Sequence, residues 1–365
     1  MTETEKRKAE HIKIILEQKA QARKATTGFE DIQLIHRALP EVDRQKINLS
    51  ASFLGKKLSA PLIVGAMTGG TEEATKINAS IAKSVEKLGL GMGLGSQRAA
   101  LEDPKLEKTY MIARKKAPNA FLIANIGGVQ LVHGYGLKEV KKAIEMIDAD
   151  AVAVHLNAVQ EALQPEGQTS FKGVLAKIRE IAGELDKPMI VKETGCGVSS
   201  EDAKALEAAG VKAIDIGGVG GTSFAAVEYH RSTSPNNMGE VFWDWGIPTA
   251  VSLIETTQTV KIPVIASGGI RSGIDIAKAL ALNANLASVS QPVLEAAVTG
   301  AKKTQELLSY LIDELRNVMF LVGAENLEAL AKVPVVVTGK TAEWLNIRDF
   351  DTVNYAQRST LTFEY

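Results

Sequence analysis

Within seven residues, His155, Asn157, Gln160 and Glu161 gather an imidazole, two amides and a carboxylate. They follow directly on the apolar run 151–154, the pattern of a strand buried on both faces. A helix starting near Asn157 sets Asn157, Gln160 and Glu161 at i, i+3 and i+4, on one face. Such a set can hold a polar ligand. The plainer reading is a helix start at a solvated strand end.

Other groups with chemical potential are spread along the chain. Lys192 ends the apolar run 189–191, where a lysine needs a counter-charge or a task. Glu193 or Asp215 could pair with it; Schiff-base chemistry or holding negative charge on a reduced cofactor are the alternatives. The stretch from Ser267 through Gly268, Gly269, Ile270 and Arg271 to Gly273 leaves a strand and enters a helix. Its backbone amides and the helix dipole suit a phosphate, although glycine also serves a simple tight turn. Gly217 to Thr222 lets a large planar ligand approach the backbone closely. Near the N-terminus, Lys6, Arg7 and Lys8 form a cation cluster with His11 one turn later, on a helix expected over 4–24. Most such clusters are solvated helix faces.

The elements that position these groups follow a rhythm. Apolar runs at 62–67, 90–94, 121–126, 151–155, 189–191, 213–216, 264–266 and 286–289 each end in small, hydrogen-bonding or charged residues. Helical patterns lie between them, for example at 75–88, 137–147, 171–185, 200–209 and 274–282. Gly89 and Gly210 mark helix ends and Ser200 a helix start. Eight such units match an α/β fold of the (β/α)8 TIM-barrel type better than an open sheet. Residues at the C-terminal strand ends then share one rim, with Thr68, Ser96, Asn125, His155, Lys192, Thr222 and Ser267 among them. Segment 1–60 reads as an N-terminal helix and lead-in, 61–323 as the barrel, and 324–365 as a C-terminal tail. That tail is expected to close the barrel bottom or pack between subunits. The 224–248 excursion, with His230, Arg231, Trp243 and Trp245, reads as a lid or a plain surface loop. A single amphipathic helical extension is expected over about 292–322.

Composition narrows the class. Of 365 residues, 45% are apolar and 23% charged, as in soluble globular proteins. A formal net charge of −1 gives no electrostatic case for nucleic acid or an anionic membrane. Cys196 is the single cysteine, so no intrachain disulfide forms, and no signal-peptide core or membrane-length run is present. A cytoplasmic enzyme is the expectation.

Taken together, Arg7-Lys8, Ala66-Met67-Thr68-Gly69-Gly70, Gly95-Ser96-Gln97-Arg98, Ala124-Asn125-Ile126-Gly127, the His155 to Glu161 stretch, Val191-Lys192-Glu193-Thr194-Gly195-Cys196-Gly197 and Gly221-Thr222-Ser223 resemble type 2 isopentenyl-diphosphate isomerases. The likeness runs from near the N-terminus to about residue 300. It implies an isomerase of isoprenoid biosynthesis that interconverts isopentenyl and dimethylallyl diphosphate with reduced FMN and Mg²⁺, the flavin being reduced by NADPH or another reductant. By resemblance, FMN would contact Ala66, Met67, Thr68, Ser96, Asn125, Lys192 and Thr222. Its phosphate would sit on Gly268, Gly269, Ile270 and Arg271 with Ser290 and Gln291. Substrate would touch Arg7, Lys8, Ser96, Gln97, Arg98, His155, Asn157 and Gln160, and Glu161 would hold the metal.

The resemblance assigns proton transfer to the reduced flavin, with Lys192, Gln160 and His155 in support. Arg7 and Lys8 precede the barrel, so they are expected to reach a neighbouring subunit in a homo-oligomer, a tetramer or octamer. Two other readings stay open. One is an FMN-dependent 2-hydroxy-acid oxidase using His230 and Arg231; the other is a non-catalytic flavin-binding barrel.

Overall fold

The computed structural model describes residues 3–232 and 237–359. Helix α1 (Glu3–Glu17) opens the chain and is followed by three short strands, β1 (Ile32–Leu34), β2 (Ala51–Phe53) and β3 (Lys56–Leu58). The barrel strands are β4 (Leu62–Val64), β5 (Gly91–Gly93), β6 (Phe121–Gly127), β7 (Ala151–Leu156), β8 (Met189–Glu193), β9 (Ala213–Asp215), β10 (Val264–Ala266) and β11 (Leu286–Val289). They close in the order β4 to β11, all parallel, with β11 returning to β4. This is the (β/α)8 barrel that the eight apolar runs predict.

Period two along the strands divides their side chains between two layers. Ile63, Phe121, Ile123, Ala153, Ile190, Ala213, Ile265 and Leu286 fill the barrel interior. Leu62, Val64, Leu122, Val152, Val154, Val191 and Ile214 face the outer helices. Burial on both faces is why the strands read as continuous apolar runs rather than alternating ones.

The barrel bottom is closed by a segment whose sequence shows no clear periodicity. Strands β2 and β3 form a hairpin whose Ala51, Phe53 and Leu58 join the interior cluster. The Phe53 and Phe121 rings meet edge to face at 5.8 Å. The two-residue turn has positive φ at Leu54 (48°) and Gly55 (82°), the geometry that matches hairpin twist. The tail adds to this end through Leu327, which packs against the same cluster, while its strand β12 (Val335–Val337) pairs antiparallel with β1.

Other boundaries move for local reasons. The first helix stops at Glu17 rather than 24, because the backbones of Ala20 and Ala22 bond Ser223 and Gly221 at the barrel rim. The expected 292–322 helix is two, Gln291–Thr299 and Ala301–Leu321, broken at Gly300 with φ 132°. Ser199, one residue earlier than expected, caps the helix Ser200–Ala208. In the 224–248 excursion, helix Phe224–Arg231 is followed by a turn at Met238–Glu240, and residues 233–236 lie outside the described set. No helix among the described residues is long and apolar enough to cross a membrane.

Candidate active site

The period that fills the barrel with apolar residues also builds the floor of a cavity at its C-terminal end. One step beyond Ile123, Ala153, Ile190, Ala213, Ile265 and Leu286, the inward positions are Asn125, His155, Lys192, Asp215, Ser267 and Ser288. Strand register sets Lys192 between His155 and Asp215. The apolar layers thus end in a polar one, where C-terminal rims of such barrels carry their chemistry.

All of this layer but Ser288 is held by polar contacts with its neighbours. Asn125 donates from its amide nitrogen to the Leu94 carbonyl at 3.0 Å, which turns its amide oxygen toward His155 Nδ1 at 2.9 Å. Nδ1 therefore carries the imidazole proton in the neutral ring. Lys192 Nζ lies 3.0 Å from Asp215 Oδ2, and the other Asp215 oxygen accepts from the Ser267 hydroxyl. Of the readings left open for Lys192, the ion pair with Asp215 is present, and the lysine also lines the cavity. Glu193 is not its partner. The Glu193 carboxylate accepts from the backbone N–H groups of Gly195, Cys196 and Gly197 and shapes the turn after β8.

Glycines line the flank. Gly268 and Gly269 have φ of 100° and 71°, a conformation that L side chains rarely adopt. A Cβ on Gly221 would press on Gly269, and one on Gly269 on Gly220 and Thr27, so these loops need glycine for packing as well. Ile270, Arg271, Ser290 and Gln291 border the same space. Thr68 Oγ1 and Ser288 Oγ are buried there without a hydrogen-bond partner. Two orphaned hydroxyls and a glycine-lined loop leading into the helix Gly273–Ala281 fit a phosphorylated, hydrogen-bonding cofactor such as FMN.

The opposite wall comes from β7 and the short helix Ala158–Leu163, which starts just after Asn157 as the spacing predicts. Asn157 Nδ2 donates to Gln160 Oε1 and Glu161 Oε1, both at 3.0 Å. Glu161 Oε2 accepts from Gln164 Nε2 and from the Gln168 N–H, both at 2.7 Å. Glu161 is 5% exposed, and no Lys, Arg or His lies within ion-pair distance among the described residues. Beside it, Asn157 Oδ1 and Gln164 Oε1 are buried without partners. One uncompensated carboxylate among neutral oxygens fits a hard cation that takes its remaining ligands elsewhere. Among the described residues there is no group of three acidic, His or Cys side chains for a self-sufficient metal site.

Helix α1 roofs the cavity. Arg7, Lys8, His11, Ile12 and Ile15 line it from above. Lys8 Nζ donates to the Ser96 carbonyl at 2.5 Å and to Tyr110 Oη at 2.6 Å. His11 Nε2 lies 3.0 Å from Glu228 Oε1, a buried carboxylate that also accepts from Arg231 and Gln160. Burial, with the Arg7 and Arg98 charges beside it, brings the Lys8 ammonium down to about 7. Burial, then the Lys192 and Lys8 charges, lowers the His155 imidazole to about 4. Arg7, Arg98 and Lys192 are each paired with a carboxylate, Glu166, Glu102 and Asp215, whereas Lys8 is held by neutral acceptors.

The structure brings most of the sequence-predicted residues to this cavity, and three expectations are corrected. Gln97 does not reach it: its amide nitrogen donates to the Ala143 carbonyl at 2.8 Å and its oxygen accepts from Asn125 N–H at 2.9 Å. It is fully buried and braces the rim behind Ser96 and Arg98. Arg7 and Lys8, expected at a neighbour's site, line the cavity of their own chain, over which α1 folds back. His230 and Arg231 do not line it. His230 packs between Tyr229 and Trp243, and Arg231 is engaged by Glu10, Glu166 and Glu228. Sequence reasoning missed His11's contact with Glu228, Gln164 and Ser288. Period two from Leu286 would have found Ser288, and the i+3 step from Glu161 would have found Gln164.

Barrel and cavity define a (β/α)8 enzyme with its polar site at the C-terminal rim under an N-terminal helix. The family model of FMN-dependent dehydrogenases matches residues 2–123 and 129–336. An isopentenyl-diphosphate delta-isomerase of Methanosarcina barkeri is 50% identical over 358 residues, covering 97% of each chain. One of Methanothermobacter thermautotrophicus is 51% identical over 353 residues, 97% of this chain and 99% of that one. Among solved structures, a mandelate oxidase variant with a monooxide FMN adduct superposes with a TM-score of 0.63 at 18% identity, over 89% of this chain and 95% of that one, a likeness of fold. The chain belongs to the FMN-dependent dehydrogenase family and, within it, to the type 2 isopentenyl-diphosphate delta-isomerase enzymes.

Proposed function

We propose that the chain interconverts isopentenyl diphosphate and dimethylallyl diphosphate in the cytoplasm, using reduced FMN and Mg²⁺, with NADPH or another reductant keeping the flavin reduced. One observation carries this reading: a single cavity joins a glycine-lined loop at one end to Arg7, Lys8, Arg98 and a Glu161 without a cationic partner at the other. An allylic or homoallylic diphosphate needs that second end, and a phosphorylated flavin the first.

Ala66, Met67, Thr68, Ser96, Asn125, Lys192 and Thr222 border the space for the flavin ring, and Gly268 to Arg271 with Ser290 and Gln291 the space for its phosphate. Bound reduced FMN would supply the donor and acceptor for moving a proton between two carbons. Lys192, oriented by Asp215, places positive charge beside it. Arg7, Lys8 and Arg98 offset the diphosphate charge, His155, Asn157 and Gln160 orient it, and Glu161 shares Mg²⁺ with its oxygens. Ile12, Ile15 and Phe224 give the hydrocarbon an apolar roof that excludes water. The oxidase alternative loses its base and carboxylate clamp, since His230 and Arg231 lie outside the cavity.

An anaerobic assay with reduced FMN, Mg²⁺ and isopentenyl diphosphate tests the proposal. Dimethylallyl diphosphate is the expected product; its absence while FMN is bound would overturn it.

A further inference from the structure

The segment that follows α1 is tied to the barrel by bonds that meet at one residue, Gln21. Its carbonyl accepts from Trp243 Nε1 at 2.8 Å, and its backbone bridges Thr222. Its amide oxygen accepts from Arg271 Nη2 at 2.9 Å, and its amide nitrogen donates to Thr222 Oγ1 at 3.3 Å. Arg271 and Thr222 both border the flavin end of the cavity. Among the described residues Arg271 has no carboxylate within ion-pair distance, so its guanidinium is available to an anion on the loop.

The rest of the segment is clamped on either side. Asp244 accepts from the backbone N–H groups of Arg23, Lys24 and Ala25, and Arg23 stacks on the Trp243 ring at 3.4 Å. Thr27 packs against Gly220 and Gly269. On the other side, the Gln18 N–H still donates to the Ile14 carbonyl at 2.8 Å, so little slack separates Gln21 from α1.

We propose that Gln21 is a positioning residue that couples the anion loop to the substrate roof. Phosphate on Gly268 to Arg271 fixes the Arg271 side chain, Arg271 fixes the Gln21 amide, and the segment from Ala20 to Ala25 then holds α1 closed over the cavity. This rests on the reading of that loop as the FMN phosphate site. It orders the events: cofactor first, then a roof that presents Arg7, Lys8 and His11 to substrate.

The test uses full-length FMN-free protein with FMN or riboflavin, which lacks the phosphate. Trypsin cleavage at Lys19, Arg23 and Lys24 is followed by mass spectrometry, and flavin affinity by fluorescence quenching. FMN is expected to slow these cuts about tenfold and riboflavin far less, as for local opening closed by a ligand. Gln21→Ala should bind FMN within about threefold of native, lose the protection, and raise KM for isopentenyl diphosphate about tenfold with little change in kcat. Gln21→Glu keeps an acceptor for Arg271 and should restore protection. Equal protection by riboflavin, full FMN protection of Gln21→Ala, or loss of FMN binding in that variant as large as its loss of protection would each overturn the coupling. Native protein that binds FMN and turns over without protection sinks this inference alone; native protein that binds FMN without turnover sinks the functional reading.

Discussion

At the scale of single residues, burial and neighbouring cations together lower the proton occupancy of the ligand-free site. Lys8 titrates at about 7 instead of its ordinary 10.5, so between those values the unfolded chain holds a proton that the folded one has released. Stability of the ligand-free protein therefore gains from Lys8 as pH rises through that window. His155, lowered from 6.5 to about 4, acts in the same direction lower down: its contribution is present above 6.5 and lost as pH falls toward 4. A bound diphosphate reverses the electrostatics and favours the protonated Lys8. Inorganic pyrophosphate should thus bind with proton uptake above pH 7 and more weakly as pH rises further. Calorimetry in buffers of different ionisation enthalpy reads this directly. Lys8→Arg should flatten the slope, and an unchanged slope in that variant would remove Lys8 from the ligand. Glu161 makes a separate prediction, because one carboxylate grips Mg²⁺ only with help. Native protein should bind Mg²⁺ far more tightly with pyrophosphate than without. Glu161→Gln should lose about tenfold or more of the pyrophosphate-dependent affinity; equal native affinity in both conditions would count against a shared metal.

At the scale of elements, legibility follows how local the determining physics is. The strand runs, the glycine loops after β9 and β10, and the helix start at Asn157 are readable because periodicity and backbone permissiveness act within a few residues. The direction of Gln97 is not, because it depends on the Ala143 carbonyl, 46 positions away along the chain. The β2–β3 hairpin is hidden as a plug for a similar reason: three residues per strand carry little pattern, and only contact with Phe121 and its layer reveals what they bury. Its role is testable apart from the active site. Phe53 is 2% exposed, and Phe53→Ala should cost about 3–5 kcal/mol by leaving a cavity in the barrel bottom. Thermal or denaturant unfolding measures the loss. Flavin affinity should stay within about twofold, since the plug lies at the far end of the strands; a parallel collapse of flavin binding would show that the hairpin also shapes the rim.

At the scale of the whole molecule, the fold decides which chain completes which site. A cation pair ahead of the barrel reads as an arm for a neighbour, because sequence cannot show the direction in which the chain turns after α1. The turn is set by Ala20, Ala22 and the Asp244 clamp, which send α1 back over its own strands and set Lys8 against Ser96 and Tyr110 of the same barrel. In this arrangement the cavity is roofed from within its own chain. That has a consequence for mixtures. Lys8→Ala removes a cation from the roof, and Lys192→Ala removes one from the floor. If the roof belonged to a neighbour, co-refolding the two variants would assemble some cavities with both lysines intact, and activity would recover to about a quarter of native in a simple dimeric exchange. With roof and floor on one chain, no mixed assembly contains a complete cavity. The expected result is activity no higher than the average of the separate variants, with mixing verified by differently tagged chains. Recovery well above that average would show that α1 is exchanged between subunits.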